Sequence, residues 1–170
     1  MNQYIRSILP ETFDDSMKIR MVDPMEIFAA KGNALITRAA ARDLYDWCNM
    51  LSEGLFEEQR DLFRKCFLFY MTISADTLNK SFDISAIDTL DFNKIRRDLF
   101  PVLNKKDNFQ LDERKKIAKN YISDLMVLTT KEKEYLDRFE EKKYMPELLF
   151  EDVEIVERVK NHPMALWKCK

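Results

Sequence analysis

Lys31, Arg38, Arg42, Asp43 and Asp46 crowd into residues 23–47, a stretch otherwise full of small and apolar side chains. Lys31 and Arg38 lie seven residues apart, two helical turns, so a continuous helix puts both cations on one face. Asp43 and Asp46 lie three apart and share a face one or two turns further on. Such a set has two physical uses. The cations and carboxylates can hold a polyphosphate and its metal. They can equally be salt bridges that orient two helices, since ion-pair networks are common on packed helices. Spacing alone leaves both uses open.

The elements that must carry these groups have their own signals. Asp23, Pro24 and Glu26 predict a helix start, with Asp as the cap, Pro in the first position and Glu reaching back. Ile27, Ala30, Ala34 and Leu35 recur at helical spacing and predict its buried stripe. Gly32 costs such a helix about 1 kcal/mol against Ala, so it marks either a close approach of ligand or backbone or tight helix packing. Residues 24–52 predict one or two helices ending near Gly54. Residues 57–73, with Leu62, Phe63, Cys66, Phe67, Phe69, Tyr70 and Ile73, are apolar nearly all round and predict the central helix of a bundle.

Residues 79–91 read as a polar connector. Asp91 then caps a short helix through Leu99, stopped by Pro101, with a polar loop up to Gln110. A helix follows from Leu111 to Leu128 with Ile117, Tyr121 and Leu125 inward at intervals of four and Ala118, Ile122 and Met126 beside them. Thr129 and Glu132 predict a capping box over a helix burying Tyr135, Leu136 and Phe139, and Glu151 with Asp152 start another. Trp167, beside Met164 and Leu166, reads as a plug in the core. Residues 1–22 differ: Tyr4, Ile5, Ile8 and Leu9 are strand-like, and Lys18 to Val22 alternate as a half-buried strand does. Two short strands cannot stand alone as a sheet and need neighbours.

Composition narrows the class. Two glycines and five prolines in 170 residues are too few for an all-β sandwich or barrel, so the expected class is mainly α: a helical bundle preceded by one or two short strands. A net charge of −2 excludes a generic nucleic-acid sponge, but the charge is uneven. Residues 94–119 hold nine Lys/Arg against four Asp/Glu, and residues 132–157 hold four against ten. These are either two solvated helix faces of opposite sign or a phosphate-touching middle and an end that meets a basic partner. Three unpaired cysteines, Cys48, Cys66 and Cys169, and no signal-like segment point to a reducing cytoplasm, with no membrane partner. There is no P-loop, G-x-G-x-x-G, G-x-S-x-G or H-E-x-x-H, and one histidine, His162, leaves no triad or multi-histidine zinc site.

Lys31-x-x-Ala34-x-x-x-Arg38 followed by Arg42-Asp43-x-x-Asp46 resembles the third and fourth motifs of the bacterial AbiEii/AbiGii nucleotidyltransferase toxins of abortive-infection and toxin–antitoxin systems. The tail, Tyr144 to Phe150 and Asn161 to Lys168, is similar to the C-terminal signature of that group. The resemblance implies a nucleotidyltransferase sheet with a Gly-Ser turn and a D-x-D metal site, and a helical domain that closes over the nucleotide. Residues 1–22 would be what is left of that sheet, and residues 23–170 the helical C-terminal domain. Carried over by position, Lys31 would meet the NTP phosphates, Arg38 and Arg42 would orient phosphate or brace the aspartates, and Asp43 and Asp46 would support the catalytic centre. The sequence departs from the family in having no Gly-Gly or Gly-Ser turn and no D-x-D. The expected function is therefore the C-terminal part of an enzyme that moves a nucleotide from NTP to an acceptor, inactive as this chain alone and holding Mg²⁺ and NTP weakly or not at all. The implied partners are NTP, an antitoxin protein, and a tRNA end or protein acceptor. The alternative is a non-catalytic helical module that binds an antitoxin or RNA.

Overall fold

The computed structural model describes residues 21–74, 78–103 and 109–170. Among them are eight α-helices and no strand: α1 (Pro24–Arg38), α2 (Ala41–Ser52), α3 (Arg60–Ser74), α4 (Phe92–Asp98), α5 (Leu111–Leu125), α6 (Thr130–Glu140), α7 (Val153–Val159) and α8 (Pro163–Lys168). The mainly α expectation holds. The strand at residues 4–9 lies outside the described residues, as does most of 18–22, of which Met21 and Val22 carry no regular structure and are exposed.

Four of the eight helices, α1, α4, α6 and α7, begin where short polar side chains cap them. Asp23 accepts from the Met25 N–H at 2.8 Å ahead of Pro24, and Asp91 accepts from Lys94 N–H at 2.8 Å. Thr129 and Glu132 form the reciprocal capping box of α6, and Asp152 accepts from the amides of Glu154 and Ile155. Each such cap stabilises its helix by about 0.5–2 kcal/mol. Glu26 does not reach back to the α1 cap. Its two carboxylate oxygens accept from the Tyr70 hydroxyl at 2.8 Å and from Arg158 at 3.2 Å, tying the start of α1 to α3 and α7.

Two apolar clusters form the interior, and α3 belongs to both. Phe63 and Phe67 face the first, with Leu35 and Ile36 of α1, Leu44 and Trp47 of α2, and Ala118, Ile122 and Leu125 of α5. Leu68, Phe69, Met71 and Ile73 face the second, with Tyr135, Leu136 and Phe139 of α6, Leu149, Phe150 and Ala165. This is why α3 is apolar on nearly every side: it has a core on each flank. The connector after α3 is less polar than it reads, because its 3-10 turn Ser85–Thr89 plugs Ile87 into the first cluster.

Several inward faces differ from the expected ones. On α1 Leu35 is fully buried, but Ile27 is exposed and Ala30 and Ala34 are half-buried; the inward residues are Met25, Ala29, Gly32, Asn33, Leu35 and Ile36. Asn33 can be buried because its amide donates to the carbonyls of Ala29 and Phe67, at 3.0 and 2.9 Å. On α5 Ile117 is exposed, and Ala118, Ile122 and Leu125 form the stripe. Trp167 is not a core plug: it is 64% exposed, with Met164 and Leu166 also outside, because α8 turns its smallest side chain, Ala165, inward.

Gly32 is explained by packing. A Cβ there would meet Trp47 Cη2 and Phe67 Cε2, each at 2.6 Å, so α2 and α3 both press on the bare α1 backbone. Cys48 is buried in this interior, and Cys66 is half-buried on α3. Burial pushes the Cys48 thiol up to about 11 against the pull of Arg114, and Cys66 up to about 12.

Gly32→Ala gains about 1 kcal/mol of helix propensity yet overpacks the site, at a cost of about 1–3 kcal/mol. The two rings cannot both retreat, so a net loss of stability is expected, measured as a lower urea midpoint at unchanged m-value. The thiolate is the reactive form, so Cys48 and Cys66 should react with iodoacetamide at pH 8.5 at least tenfold more slowly in the folded chain than in urea. Because folding favours their protonated form, both leave stability untouched below about pH 9 and weaken the fold as pH climbs toward 11 and 12.

Candidate functional site

Ala39 creates the hairpin on which the motif residues meet. It adopts a left-handed conformation, φ 47°, and its N–H closes on the Leu35 carbonyl, which ends α1 and sends the chain back. Ala40 then precedes α2 with no side-chain cap of its own. Lys31 and Arg38 stand two turns apart on α1, and Asp43 and Asp46 stand one turn apart on α2.

The hairpin pairs them across the helix interface. Lys31 Nζ lies 2.6 Å from Asp46 Oδ2. Arg38 donates from Nε and Nη2 to Asp43 Oδ2, at 3.2 and 3.0 Å. The two pairs are not equivalent. The Lys31 and Asp46 side chains are 33% and 38% exposed, so this bridge works in high dielectric and is worth about 0–1 kcal/mol. The Asp43 side chain is 7% exposed while that of Arg38 is 68% exposed. Asp43 also sits in the first turn of α2, where the uncapped amide dipoles favour a negative charge.

Four of the five motif residues thus come together, and the fifth does not. Arg42 turns away and donates from Nε to the Asp98 carbonyl at 3.0 Å, bracing the end of α4 rather than the aspartates. Its partner is 56 residues on, and nothing local in the sequence announces it. The carboxylates do not form a metal cage. Among the described residues no group of three His, Cys, Asp or Glu could hold an ion, and Asp43 and Asp46 are each committed to a cation. The residues present therefore do not fit Mg²⁺.

Two polar features went unread in the sequence. Arg64, 16% exposed, donates to Glu132, 1% exposed, at 2.9 Å, so the α6 capping glutamate is also half of a buried ion pair. Among the described residues the acidic run is largely engaged in ion pairs, and the basic run in part. Lys119 meets Asp88, and Arg97 meets Asp98. On the acidic side Asp137 and Glu140 share Lys80. No helix among the described residues is long and apolar enough to cross a membrane.

A family model described as nucleotidyl transferase AbiEii toxin, type IV toxin–antitoxin system, matches residues 2–140, which takes in α1 to α6 and every motif residue above. The chain belongs to that family. Comparisons with curated proteins and with solved structures give no match.

The unequal burial of the two carboxylates sets an order. Asp43→Asn leaves a buried amide where the helix start and Arg38 favour a charge, and should cost about 1–3 kcal/mol. Asp46→Asn should cost under about 1 kcal/mol. Urea denaturation of the two variants checks this, and equal losses would show that both pairs stabilise alike.

Proposed function

We propose that this member of the nucleotidyl transferase AbiEii family contributes the helical wall that receives the phosphates of an NTP. Lys31 and Arg38 meet the phosphates, and Asp46 and Asp43 support the reacting centre by holding those cations in place, while Arg42, turned to the Asp98 carbonyl, fixes α2 against α4 and touches no phosphate. The observation that carries this reading is the α1–α2 hairpin itself, which brings two cations to one face and backs each with a carboxylate. Phosphoryl-type transfer depends on positioning and charge neutralisation more than on covalent chemistry by side chains. Lys31 is suited as a point charge on a flexible stem, and Arg38 as a planar fork.

Mg²⁺ takes part in such transfers by bridging phosphate oxygens, and no step is assigned to it through these carboxylates. With neither a D-x-D nor a Gly-Ser turn in the sequence, the chain by itself is expected to bind NTP weakly and to transfer nothing. The helical domain of residues 23–170 supplies that wall to a transfer that takes place in a cytoplasm, with a tRNA end or a protein as acceptor and under an antitoxin. A second reading has a specific observation behind it. Phe92 and Phe100 are both exposed and meet edge to face, 5.6 Å between ring centres, Phe100 within the basic stretch of residues 94–119 and Phe92 just ahead of it. Aromatic rings among cations suit a non-catalytic role in binding RNA or an acidic antitoxin surface.

Equilibrium dialysis of the full chain with labelled NTP tests the first reading. Lys31→Ala should weaken binding at least fivefold while moving the unfolding free energy by under about 1 kcal/mol, and Arg38→Ala should weaken it as much with a larger loss of stability, about 1–3 kcal/mol, because Asp43 is left buried without its cation. Binding unchanged in both variants would remove these residues from any nucleotide site. Label transferred to RNA or protein by this chain alone would overturn the expected inactivity.

A further inference from the structure

Helix α8 turns only Ala165 into the second apolar cluster. At about 100° per residue, Pro163, Met164, Leu166 and Trp167 then fall on the opposite face. The exposures agree: Trp167 is 64% exposed, Met164 44% and Leu166 42%. The core did not select these side chains, because the core sees the smallest residue of the helix. An indole set outward beside Met and Leu has the composition of an interface centre, where Trp and Met are enriched.

The charge around this face has one sign. Residues 158–170 hold four Lys/Arg and no Asp/Glu. Arg158 and Lys160 are taken by Glu26 and Glu157. Lys142 reaches in from the end of α6 and donates to the Lys168 carbonyl at 2.7 Å, which places a cation at the end of α8 beside Trp167. Lys142 and Lys170 are both exposed, and neither has a carboxylate partner among the described residues.

We propose that the outer face of α8 docks an acidic amphipathic segment of another protein, with apolar side chains around Trp167 and carboxylates toward Lys142 and Lys170. Carboxylates there complete the cations that the chain leaves unmatched. A second copy of this chain fits poorly, since it would bring the same lysines together. RNA fits poorly because Trp167 is the one ring on α8, too few for a run of stacked bases. A bilayer is broad, and the carboxylate of Glu147 borders this end: Tyr144 feels Cys169 and Glu147 alike. A narrow segment can match the lysines and avoid Glu147.

The test uses the full chain and a synthetic helical peptide with leucines on one face and glutamates on the other. Titration should shift the emission of exposed Trp167 to the blue and shield it from acrylamide, over a constant background from buried Trp47. Peptides with lysine at every glutamate position, or serine at every leucine position, should bind at least tenfold more weakly. In isothermal titration Trp167→Ala should cost at least tenfold in affinity with the thermal midpoint unchanged. Lys142→Gln combined with Lys170→Gln should cost at least fivefold. Should a variant fail to fold, the peptide series and the shielding of Trp167 decide on the native chain. No binding of the acidic peptide, binding indifferent to its charge, or binding without shielding of Trp167 would each overturn the proposal. So would shielding of Trp167 by dodecauridylate or phosphatidylglycerol vesicles but not by the peptide, or a dimer in sedimentation equilibrium that Trp167→Ala dissolves.

Discussion

Trp47 and Phe67 press against the backbone of Gly32 at a separation that leaves no room for a side chain. The rest of the described fold follows from that approach. The contact joins three helices at one point: α1 offers bare backbone, α2 the indole and α3 the phenyl ring. Asn33, next in sequence, fixes the depth of α1 against α3 by donating to the Phe67 carbonyl. The charged site is the outer edge of the same contact. Lys31 precedes Gly32 and Asp46 precedes Trp47, so the ion pair closes at the surface over what the glycine and the indole close inside. Dispersion and burial do the holding there, since an exposed pair adds little.

A second consequence concerns α3. With a core on either flank, this helix transmits the position of the α1–α2 hairpin to the C-terminal helices. Between α3 and α6 the interior polar groups are matched with one another. Thr72 and Tyr135 share a hydrogen bond at 3.1 Å between α3 and α6. Arg64 and Glu132 pair at the same junction, and Glu132 also accepts from the Thr129 amide. Removing one member of such a set leaves the other buried and unmatched, which costs more than the pair itself contributes. The α3–α6 junction is therefore specified by chemistry as well as by shape.

Helix starts were legible in the sequence because their causes are local. Asp23, Asp91, the Thr129–Glu132 box and Asp152 all cap as their spacing predicts. The apolar, two-sided character of α3 was legible for the same reason. Faces decided by a distant partner were not. Asn33 is buried because Phe67, 34 positions on, offers a carbonyl, a partner that nothing local in the sequence names. Glu26 reads as a reaching-back cap until Tyr70 and Arg158 take both its oxygens. Trp167 reads as core by its size, yet a six-residue helix presented Ala165 instead. At the candidate site Arg38 and Asp43 are five residues apart across a tight turn, close enough for spacing to suggest the pair. Arg42 lies in the same motif, but its partner belongs to another helix.

The two uses of the charged hairpin, structural bridge and phosphate receiver, do not exclude each other. An exposed pair such as Lys31–Asp46 contributes at most about 1 kcal/mol, so an incoming phosphate has little to displace before Lys31 can turn to it. Asp43 cannot make the same exchange, because its carboxylate is buried and a helix start favours its charge. It keeps Arg38 in register whatever stands outside, and Arg38 remains mostly exposed with its fork held at one edge. One end of the hairpin is thus exchangeable and the other fixed. In the phosphate-receiving role proposed above, the exchangeable end would let a product leave while the fixed end kept its register.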